Sequence, residues 1–363
     1  MRVKIQQFLF GKSHSWAVVG QNIGRAMLKL GHEVDFVSTD GFEDKYCPDD
    51  LRPFAKKAPS GKYDLQLSYT APHNWGPYTR FGGRNGKAMA IWNFEYNGKK
   101  VLPGFGKNHK NVDIVLPSSH FTKDVFVNMG VPAERMVVVP HGINLNEYEG
   151  TNKMPLRTTK KRKILLNIAQ PHRRKAIPLA LESFGKAFKK DDDVCLVVKV
   201  ILANKADHQF DVDFMSMFKT FQRKFPNHAE VEIVNKFIPD LSDIYRACDI
   251  NFSATHAECW WLPGTEALAC GLVNVAPRYG GLLDFCNEDN TLFIEGKVKR
   301  VPREHVYWQS SPHLVHFVVD TDDAATKLRK AVEEYDELKL KFAEGARKTA
   351  ETFTWENVAK QIV

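Results

Sequence analysis

Two glutamates, Glu258 and Glu266, are separated by seven residues in a segment whose pattern suits a binding site. A predicted strand ends near Thr255, Glu258 lies in the loop that follows, and Glu266 begins a short helix. Ligands of open α/β sheets bind at the carboxyl ends of strands. Carboxylates there can accept hydrogen bonds from sugar or ribose hydroxyls, and free N–H groups at a helix start can meet a phosphate. The alternative is a solvated loop acid and a favourable acid in a first helical turn.

Strand-like and helix-like patterns alternate through most of the chain. Residues 3–10 alternate apolar positions, a helical pattern follows up to residue 30, and residues 33–38 form the next strand pattern. Strand, helix and strand in so short a stretch predict a βαβ unit and a parallel α/β fold. Further strands are predicted at 65–69, 88–93, 114–117, 136–140, 164–168, 194–200, 231–234, 250–253 and 272–276.

The alternation lapses once, in the polar and weakly periodic residues 144–163. Such a stretch is typical of a linker. We therefore predict two α/β domains, residues 1–150 and residues 151–350. Residues 351–363 are predicted to form a C-terminal helix that packs back on the first domain.

Composition excludes several classes of protein. The 363 residues carry 51 Lys and Arg against 43 Asp and Glu, a formal net charge of +8, and no apolar run long enough for a membrane helix. No signal-peptide core follows Met1, so we expect a cytoplasmic protein with its six cysteines reduced. The chain lacks a dinucleotide-binding or P-loop glycine motif, and neither the cysteines nor the histidines have metal-ligand spacing. No metal site is predicted.

The positive charge is concentrated in residues 52–110, which contain eleven basic and two acidic residues. Aromatic residues are interleaved with these basic residues. This pattern favours an anionic partner, either a membrane-surface glycolipid or a nucleic acid, over a merely solvated basic face.

The run from Glu258 to Gly271, followed by Gly280-Gly281, resembles the E-x7-E signature of the retaining glycosyltransferases of family 4. The usual form of that signature is "EGFGLPxxEAMAxGxPVV" followed by a Gly-Gly turn. Four further segments resemble other motifs of the family in the same order along the chain: residues 119–144, 168–184, 243–249 and 353–359.

The resemblance implies the GT-B fold, in which two Rossmann-like domains face each other across a cleft. The first domain would bind the acceptor and the second the nucleotide sugar. The implied activity is metal-independent, retaining transfer of a sugar from a donor such as a UDP- or GDP-sugar to an acceptor hydroxyl, with no other cofactor. GT-B enzymes also include viral enzymes that glycosylate modified DNA bases, so DNA is one anionic acceptor to consider.

The resemblance also assigns roles to residues. Arg174 and Lys175 would neutralise the donor diphosphate. Glu266 would hold the nucleotide ribose, and Glu258 would contact the donor sugar. Gly11, at the end of the first strand, would let the opposite loop approach the donor.

Glu95 follows a strand of the first domain, where a branch of the family has an acid facing the cleft. There it would orient the acceptor hydroxyl or take its proton. The sequence departs from the family at Cys259 and Trp261, which replace two glycines, and at Gln170, which replaces an arginine. Arg173 or Arg174 is a candidate to substitute for that arginine.

The departures keep two alternatives open. Bulky residues in the signature loop suit a GT-B protein that binds a donor without transferring it. A nucleotide-sugar epimerase of similar fold would isomerise the donor without any acceptor. The sequence does not indicate an oligomeric state.

Overall fold

The computed structural model describes residues 1–7, 15–38, 47–56, 61–75, 86–102, 104–202, 212–305 and 311–363. These residues form two compact units. The first unit contains the described residues among 1–143, together with 311–314 and 353–363. The second contains those among 144–305 and residues 315–352.

The sheet of the first unit has five parallel strands in the order β2-β1-β3-β4-β6. The strands of this sheet are β1 (Arg2–Gln7), β2 (Glu33–Ser38), β3 (Leu65–Tyr69), β4 (Lys87–Ile91) and β6 (Ile114–Leu116). The short strand β5 (Asn97–Gly98) does not belong to it. All five residues of β3 are buried, as expected of a parallel strand covered on both faces. The chain adds β2 on one side of β1 and β3 on the other, so the strand order changes direction between β1 and β3.

Among the described residues of this unit, two helices follow strands, α1 (Ser15–Lys29) and α2 (His120–Asn128). Helix α2 begins after Ser119, whose side-chain oxygen accepts the N–H of Thr122. Short 3-10 turns occupy Arg52–Phe54, Pro72–Asn74, Gly106–Asn111 and Ala133–Arg135. The prediction of a strand at residues 136–140 is wrong, because Met136 forms only an isolated bridge with Val115 beside β6.

The second unit contains a six-stranded parallel sheet in the order β12-β11-β10-β7-β8-β9. Its strands are β7 (Arg162–Ala169), β8 (Val194–Val200), β9 (Glu230–Val234), β10 (Ile250–Phe252), β11 (Val273–Pro277) and β12 (Thr291–Ile294). Strands β13 (Gly296–Arg300) and β14 (Leu314–Val319) form an antiparallel pair. Strand β8 is buried along its whole length.

The helices of the second unit cover both faces of its sheet. They are α3 (Leu145–Tyr148), α4 (Ile177–Ala187), α5 (Phe214–Lys224), α6 (Ser242–Arg246), α7 (Leu262–Ala269), α8 (Thr321–Glu333) and α9 (Tyr335–Thr352). Phe184 of α4 and Leu328 of α8 are buried in one core cluster with Ile164, Val198 and Ile250 of the sheet. Short 3-10 turns occupy Arg173–Lys175, Gly281–Asp284 and Arg303–His305.

The predicted linker 144–163 is held against the second unit at a buried acid. The backbone N–H groups of Arg157 and Thr158 donate to the carboxylate of Glu232 at 3.0 and 2.9 Å. Main-chain bonds to a side chain require no apolar periodicity, which explains why the sequence of this stretch reads as irregular.

The last helix, α10 (Trp355–Ile362), packs on α1 in the first unit. Ile143 links residues 1–143 to residues 353–363 of the same unit. Its N–H donates to the Phe353 carbonyl at 2.7 Å, and its carbonyl accepts the N–H of Trp355 at 3.3 Å. Lys29 of α1 forms an ion pair with Glu356 of α10. Among the helices of the described residues, none has the length and hydropathy to span a bilayer. The predicted α/β class with parallel sheets is confirmed.

Candidate functional site

The strand order of the second sheet changes direction between two neighbouring strands. From β7 the chain proceeds through β8 and β9 to one side, and β10, β11 and β12 then extend the sheet from the other side of β7. The direction in which strands are added therefore reverses between β7 and β10, and such a switch point is where open α/β sheets bind ligands. Arg174 and Lys175 lie in the loop after β7, and Glu258 lies in the loop after β10.

These two loops meet in a buried ion-pair cluster. Arg174 Nη1 lies 2.6 Å from Glu258 Oε2, and Lys175 Nζ lies 2.8 Å from Glu258 Oε1. The Glu258 side chain is only 8% exposed. Thr255 Oγ1 also donates to Glu258 Oε1, at 3.2 Å. Three residues predicted for donor binding are thus in direct contact.

Main-chain hydrogen bonds fix the two loops to each other. The N–H of His256 donates to the Arg174 carbonyl at 2.8 Å. In return, Arg174 Nη1 donates to the Ala257 carbonyl at 2.9 Å. The guanidinium is therefore oriented by a backbone acceptor as well as by the carboxylate.

The Gly280-Gly281 turn brings a third loop, the one after β11, onto Glu258. The N–H of Gly281 donates to the Glu258 carbonyl at 2.8 Å. Gly280 has a φ of +93°, and a Cβ at this position would lie 3.0 Å from the Glu258 carbonyl oxygen. The close approach and the left-handed conformation both require glycine.

Electrostatics keep Glu258 ionised. Burial by itself would raise the pKa of this carboxyl, but the charges and hydrogen bonds of Arg174 and Lys175 outweigh it and lower the pKa to about 2. At neutral pH Glu258 is therefore an anion that accepts hydrogen bonds and cannot donate a proton.

Glu266 lies beside a tyrosine that sequence reasoning did not identify. Helix α7 begins at Leu262, so Glu266 is its fifth residue and does not begin the helix as predicted. Tyr245 Oη donates to Glu266 Oε2 at 2.6 Å, and Asn167 Nδ2 donates to Tyr245 Oη at 2.8 Å. Burial raises the pKa of Glu266, against the opposing effect of hydrogen bonds from Tyr245 and Tyr148.

The bulky residues of the signature loop are interior residues. Cys259, Trp260 and Trp261 are at most 6% exposed. The ring of Trp261 covers Gly264, where an added Cβ would lie 2.1 Å from Trp261 Cε3. Trp261 nevertheless has a φ of +79°, the left-handed conformation that favours glycine.

Backbone strain is concentrated near the switch point. Besides Trp261, Ala169 at the end of β7 has a φ of +55°, and Ala176, which precedes α4, has a φ of +48°. They are three of the five non-glycine residues with positive φ in the described part of the chain. Strain of this kind persists at binding and catalytic sites, where the surroundings enforce it.

Arg173 lies apart from the Glu258 ion pairs and lines a cavity of about 400 Å³. Four histidines line the same cavity, His172, His256, His305 and His316, and the last three form a cluster. One potential ligand atom of each of these three lies within 4.8 Å of the others. Sequence spacing did not reveal this cluster, because its members come from three separate elements.

In the first unit, Glu95 is partly exposed between β4 and β5. Nearby, Ser118 Oγ donates to Asn93 Oδ1 at 2.6 Å, and Asn93 Nδ2 lies 3.2 Å from His141 Nε2. Burial lowers the pKa of His141 to about 3, so this imidazole is neutral at pH 7. Gly11 lies outside the described residues.

The basic segment 52–110 separates into exposed cations and buried aromatics. Its described lysines and arginines are all exposed: Arg52, Lys56, Lys62, Lys87, Lys99, Lys100, Lys107 and Lys110. Six of its described aromatics are at most 5% exposed: Tyr63, Tyr69, Trp75, Trp92, Phe94 and Tyr96. Trp92, for example, stacks on Phe126 with a centroid separation of 5.9 Å. These six aromatic rings therefore pack in the core and are not exposed beside the cations.

Comparison with known proteins identified similar structures but no similar sequences. No protein-family model matches the chain, and no curated protein matches it in sequence. The structure of HepE from Anabaena in complex with UDP is 13% identical, covers 100% of this chain and 98% of its own, and has a TM-score of 0.71. HepE is also described in complex with UDP-glucose.

Two further structures have the same fold over nearly their whole length. A glycosyltransferase from Rickettsia africae ESF-5 is 15% identical, covers 99% of this chain and 97% of its own, and has a TM-score of 0.74. Sucrose-phosphate synthase from Thermosynechococcus elongatus is 14% identical, with the same two coverages and a TM-score of 0.70. The predicted GT-B fold is confirmed.

Proposed function

We propose that this protein is a glycosyltransferase that takes its sugar from a nucleotide-sugar donor bound at the second unit. The observation that carries the proposal is the buried contact of Glu258 with Arg174 and Lys175 at the switch point of the sheet. The complexes of HepE with UDP and UDP-glucose support it, because that protein has the same fold.

Arg174 and Lys175 would neutralise the donor diphosphate. Negative charge grows on this leaving group as the glycosidic bond breaks, and fixed cations stabilise such charge without a metal ion. Glu258 holds both cations in place before the donor arrives. On binding, the phosphates would share the cations with the carboxylate.

Glu258 would contact hydroxyls of the donor sugar. Since its pKa is about 2, it acts as a hydrogen-bond acceptor and stabilises positive charge at the reacting carbon. Glu266 would bind the ribose hydroxyls, with Tyr245 Oη orienting its carboxylate.

We further propose that the transfer retains anomeric configuration, as in family 4. Glu258 is paired with two cations, which makes it a poor nucleophile, so attack by the acceptor on the face that the diphosphate leaves is the simpler route. Glu95 would orient the acceptor hydroxyl or take its proton.

An anionic glycolipid or saccharide is the acceptor that the first unit favours. The exposed cations of residues 52–110 attract anionic surfaces. DNA is less favoured, because an extruded base is usually held by aromatic rings, and six described aromatics of this segment are buried.

Thermal unfolding with a panel of UDP-, GDP- and ADP-sugars tests the donor site. A bound donor at 100 times its dissociation constant should stabilise the fold by about 2.7 kcal/mol. Glu258→Gln should abolish sugar transfer from the donor identified in this way. Glu182→Gln is the matched control, because Glu182 pairs with Lys186 and Lys224 elsewhere on the second unit.

The outcomes separate the alternatives. A panel without stabilisation, obtained with folded protein, contradicts the proposal. Donor binding without transfer to any anionic acceptor identifies a binding protein, and an isomerised sugar formed without acceptor identifies an epimerase. Transfer to hydroxymethylated DNA, with affinity falling steeply as salt rises, would favour DNA over glycolipid.

A further inference from the structure

Three imidazoles converge beside the loop that carries Glu258. His256 belongs to that loop, His305 ends the 3-10 turn Arg303–His305, and His316 lies in β14. The rings of His256 and His316 have centroids 4.2 Å apart, and His305 is 6.4 and 6.3 Å from them. Among the described residues, this is the one group of three or more His, Cys, Asp or Glu side chains whose ligand atoms come within 4.8 Å of one another.

The hydrogen bonding of His256 suits a metal ligand. Its Nδ1 lies 2.7 Å from the Phe317 carbonyl oxygen, which can only accept, so Nδ1 carries the proton. Nε2 is then left with its lone pair. Metal-binding histidines usually have this arrangement, in which a backbone carbonyl fixes the tautomer and the ring orientation.

The distances require only a small contraction. Zinc binds imidazole nitrogen at about 2.0–2.1 Å, so two nitrogens on a tetrahedral ion are roughly 3.4 Å apart. Ligand atoms within 4.8 Å of one another therefore need rotamer shifts of the order of 1 Å.

The cavity beside the histidines is cationic. Arg173, Lys299 and Arg300 line it together with the three imidazoles. Three imidazole ligands would leave a tetrahedral ion with one open position, and the neighbouring Arg173, Lys299 and Arg300 would favour an anionic ligand there.

We propose that His256, His305 and His316 together bind one transition-metal ion, for which Zn²⁺ is the expected occupant. The ion would join β14 and the 303–305 turn to the loop of Glu258. Glu258 is two residues from His256, so the ion would restrain that loop. This proposal does not depend on the glycosyltransferase assignment, and the transfer chemistry proposed above does not pass through the ion.

Titration of metal-free protein with Zn²⁺, followed by calorimetry, tests the site. We expect one Zn²⁺ per chain in the intact protein. His305→Ala and His316→Ala should each weaken binding by more than about 100-fold, since each removes a direct ligand. Co²⁺ should give the intense visible absorption of a tetrahedral site in the intact protein and lose it in both variants.

His228→Ala is the matched control, because His228 also has its Nδ1 on a backbone carbonyl of the second unit, that of Ala229. It should bind Zn²⁺ like the intact protein. Thermal unfolding without metal checks that each variant is folded, and His305→Asn replaces any alanine variant that is not. Equal Zn²⁺ affinity in the intact protein and both site variants, or no saturable binding at micromolar Zn²⁺, would overturn the proposal.

Discussion

Glu258 is a carboxylate that is almost removed from water yet remains charged. Transfer of an ion to the interior costs several kcal/mol unless partners compensate it. Here Arg174 and Lys175 do so at 2.6 and 2.8 Å, while Thr255 Oγ1 satisfies a further acceptor position. Loss of the carboxylate would leave two mostly buried cations, with side chains 13% and 18% exposed, facing each other.

Glu258→Gln should therefore lower the free energy of unfolding at pH 7 by about 3 kcal/mol. The folded pKa of about 2 lies below the ordinary value of 4.5. The carboxylate thus stabilises the fold fully above pH 4.5, and this contribution is lost as pH falls towards 2. Urea unfolding of both proteins should show a difference that is constant above pH 5 and shrinks below it.

Glu182→Gln again serves as the control for this measurement. Glu182 also has a lowered pKa, from its hydrogen bond with Lys224, but it is more exposed, at 26%. Exposed pairs contribute about 1 kcal/mol or less. If the two variants lose equal stability at pH 7, the buried ion pairs of Glu258 do not stabilise the fold more than the exposed pairs of Glu182 do.

At the scale of elements, Trp261, which directly precedes α7, has the left-handed backbone conformation that favours glycine. The positive φ of Trp261 costs roughly 1 kcal/mol or more. The buried indole offsets that cost by packing on Gly264. Position 261 is where the resemblance expects glycine, so the loop retains that conformation while the side chain adds to the core.

Replacement of Trp261 by alanine and by glycine separates the two effects. Both variants lose the indole and should unfold more easily by about 3–5 kcal/mol. Trp261→Gly should be the more stable of the two by roughly 1 kcal/mol, since only glycine adopts the left-handed conformation without strain. Chemical unfolding of both variants measures this difference.

Trp260 supplies the comparison. It is also buried, at 2% exposed, but it is not among the residues with positive φ. There the ordinary order should hold, with the alanine variant more stable than the glycine variant. The same order at positions 260 and 261 would show that the loop relaxes its backbone when the indole is removed.

At the scale of the whole molecule, the positive charge is distributed unevenly along the chain. Residues 52–110 have a net charge of +9, from eleven basic and two acidic residues, against +8 for the whole chain. The cations near the switch point of the second unit are already paired with Glu258. The exposed cations of the first unit have the accessibility that a macromolecular anion requires.

The double variant Lys107→Glu, Lys110→Glu should therefore raise KM for an anionic acceptor several-fold and leave donor binding unchanged. Lys341→Glu, Lys348→Glu changes the net charge equally on exposed positions of α9. Steady-state kinetics at two salt concentrations compares the pairs. Equal effects of the two pairs would indicate a response to net charge and not to an acceptor surface in the first unit.

Much of the architecture could be predicted from local patterns. The strands at residues 65–69 and 194–200 are predicted with their exact bounds. Residues 136–140 have the composition of a strand, but only Met136 bridges to Val115. Residues 144–163 are predicted as a linker because the residue that holds them, Glu232, is distant in sequence, and local patterns do not reveal such a contact.

Side-chain periodicity determines whether a segment forms a helix or a strand, and it is enough to predict the parallel α/β class from the sequence. The candidate donor residues of the second unit come from the resemblance of sequence motifs to family 4. The sequence did not determine which segments meet, because contact between distant segments depends on strand order. Lys175 and Glu258 are 83 residues apart in the chain, and the placement of β10 beside β7 brings them to 2.8 Å. Tertiary structure likewise decided that His256, His305 and His316 converge and that six aromatics among the exposed cations lie in the core.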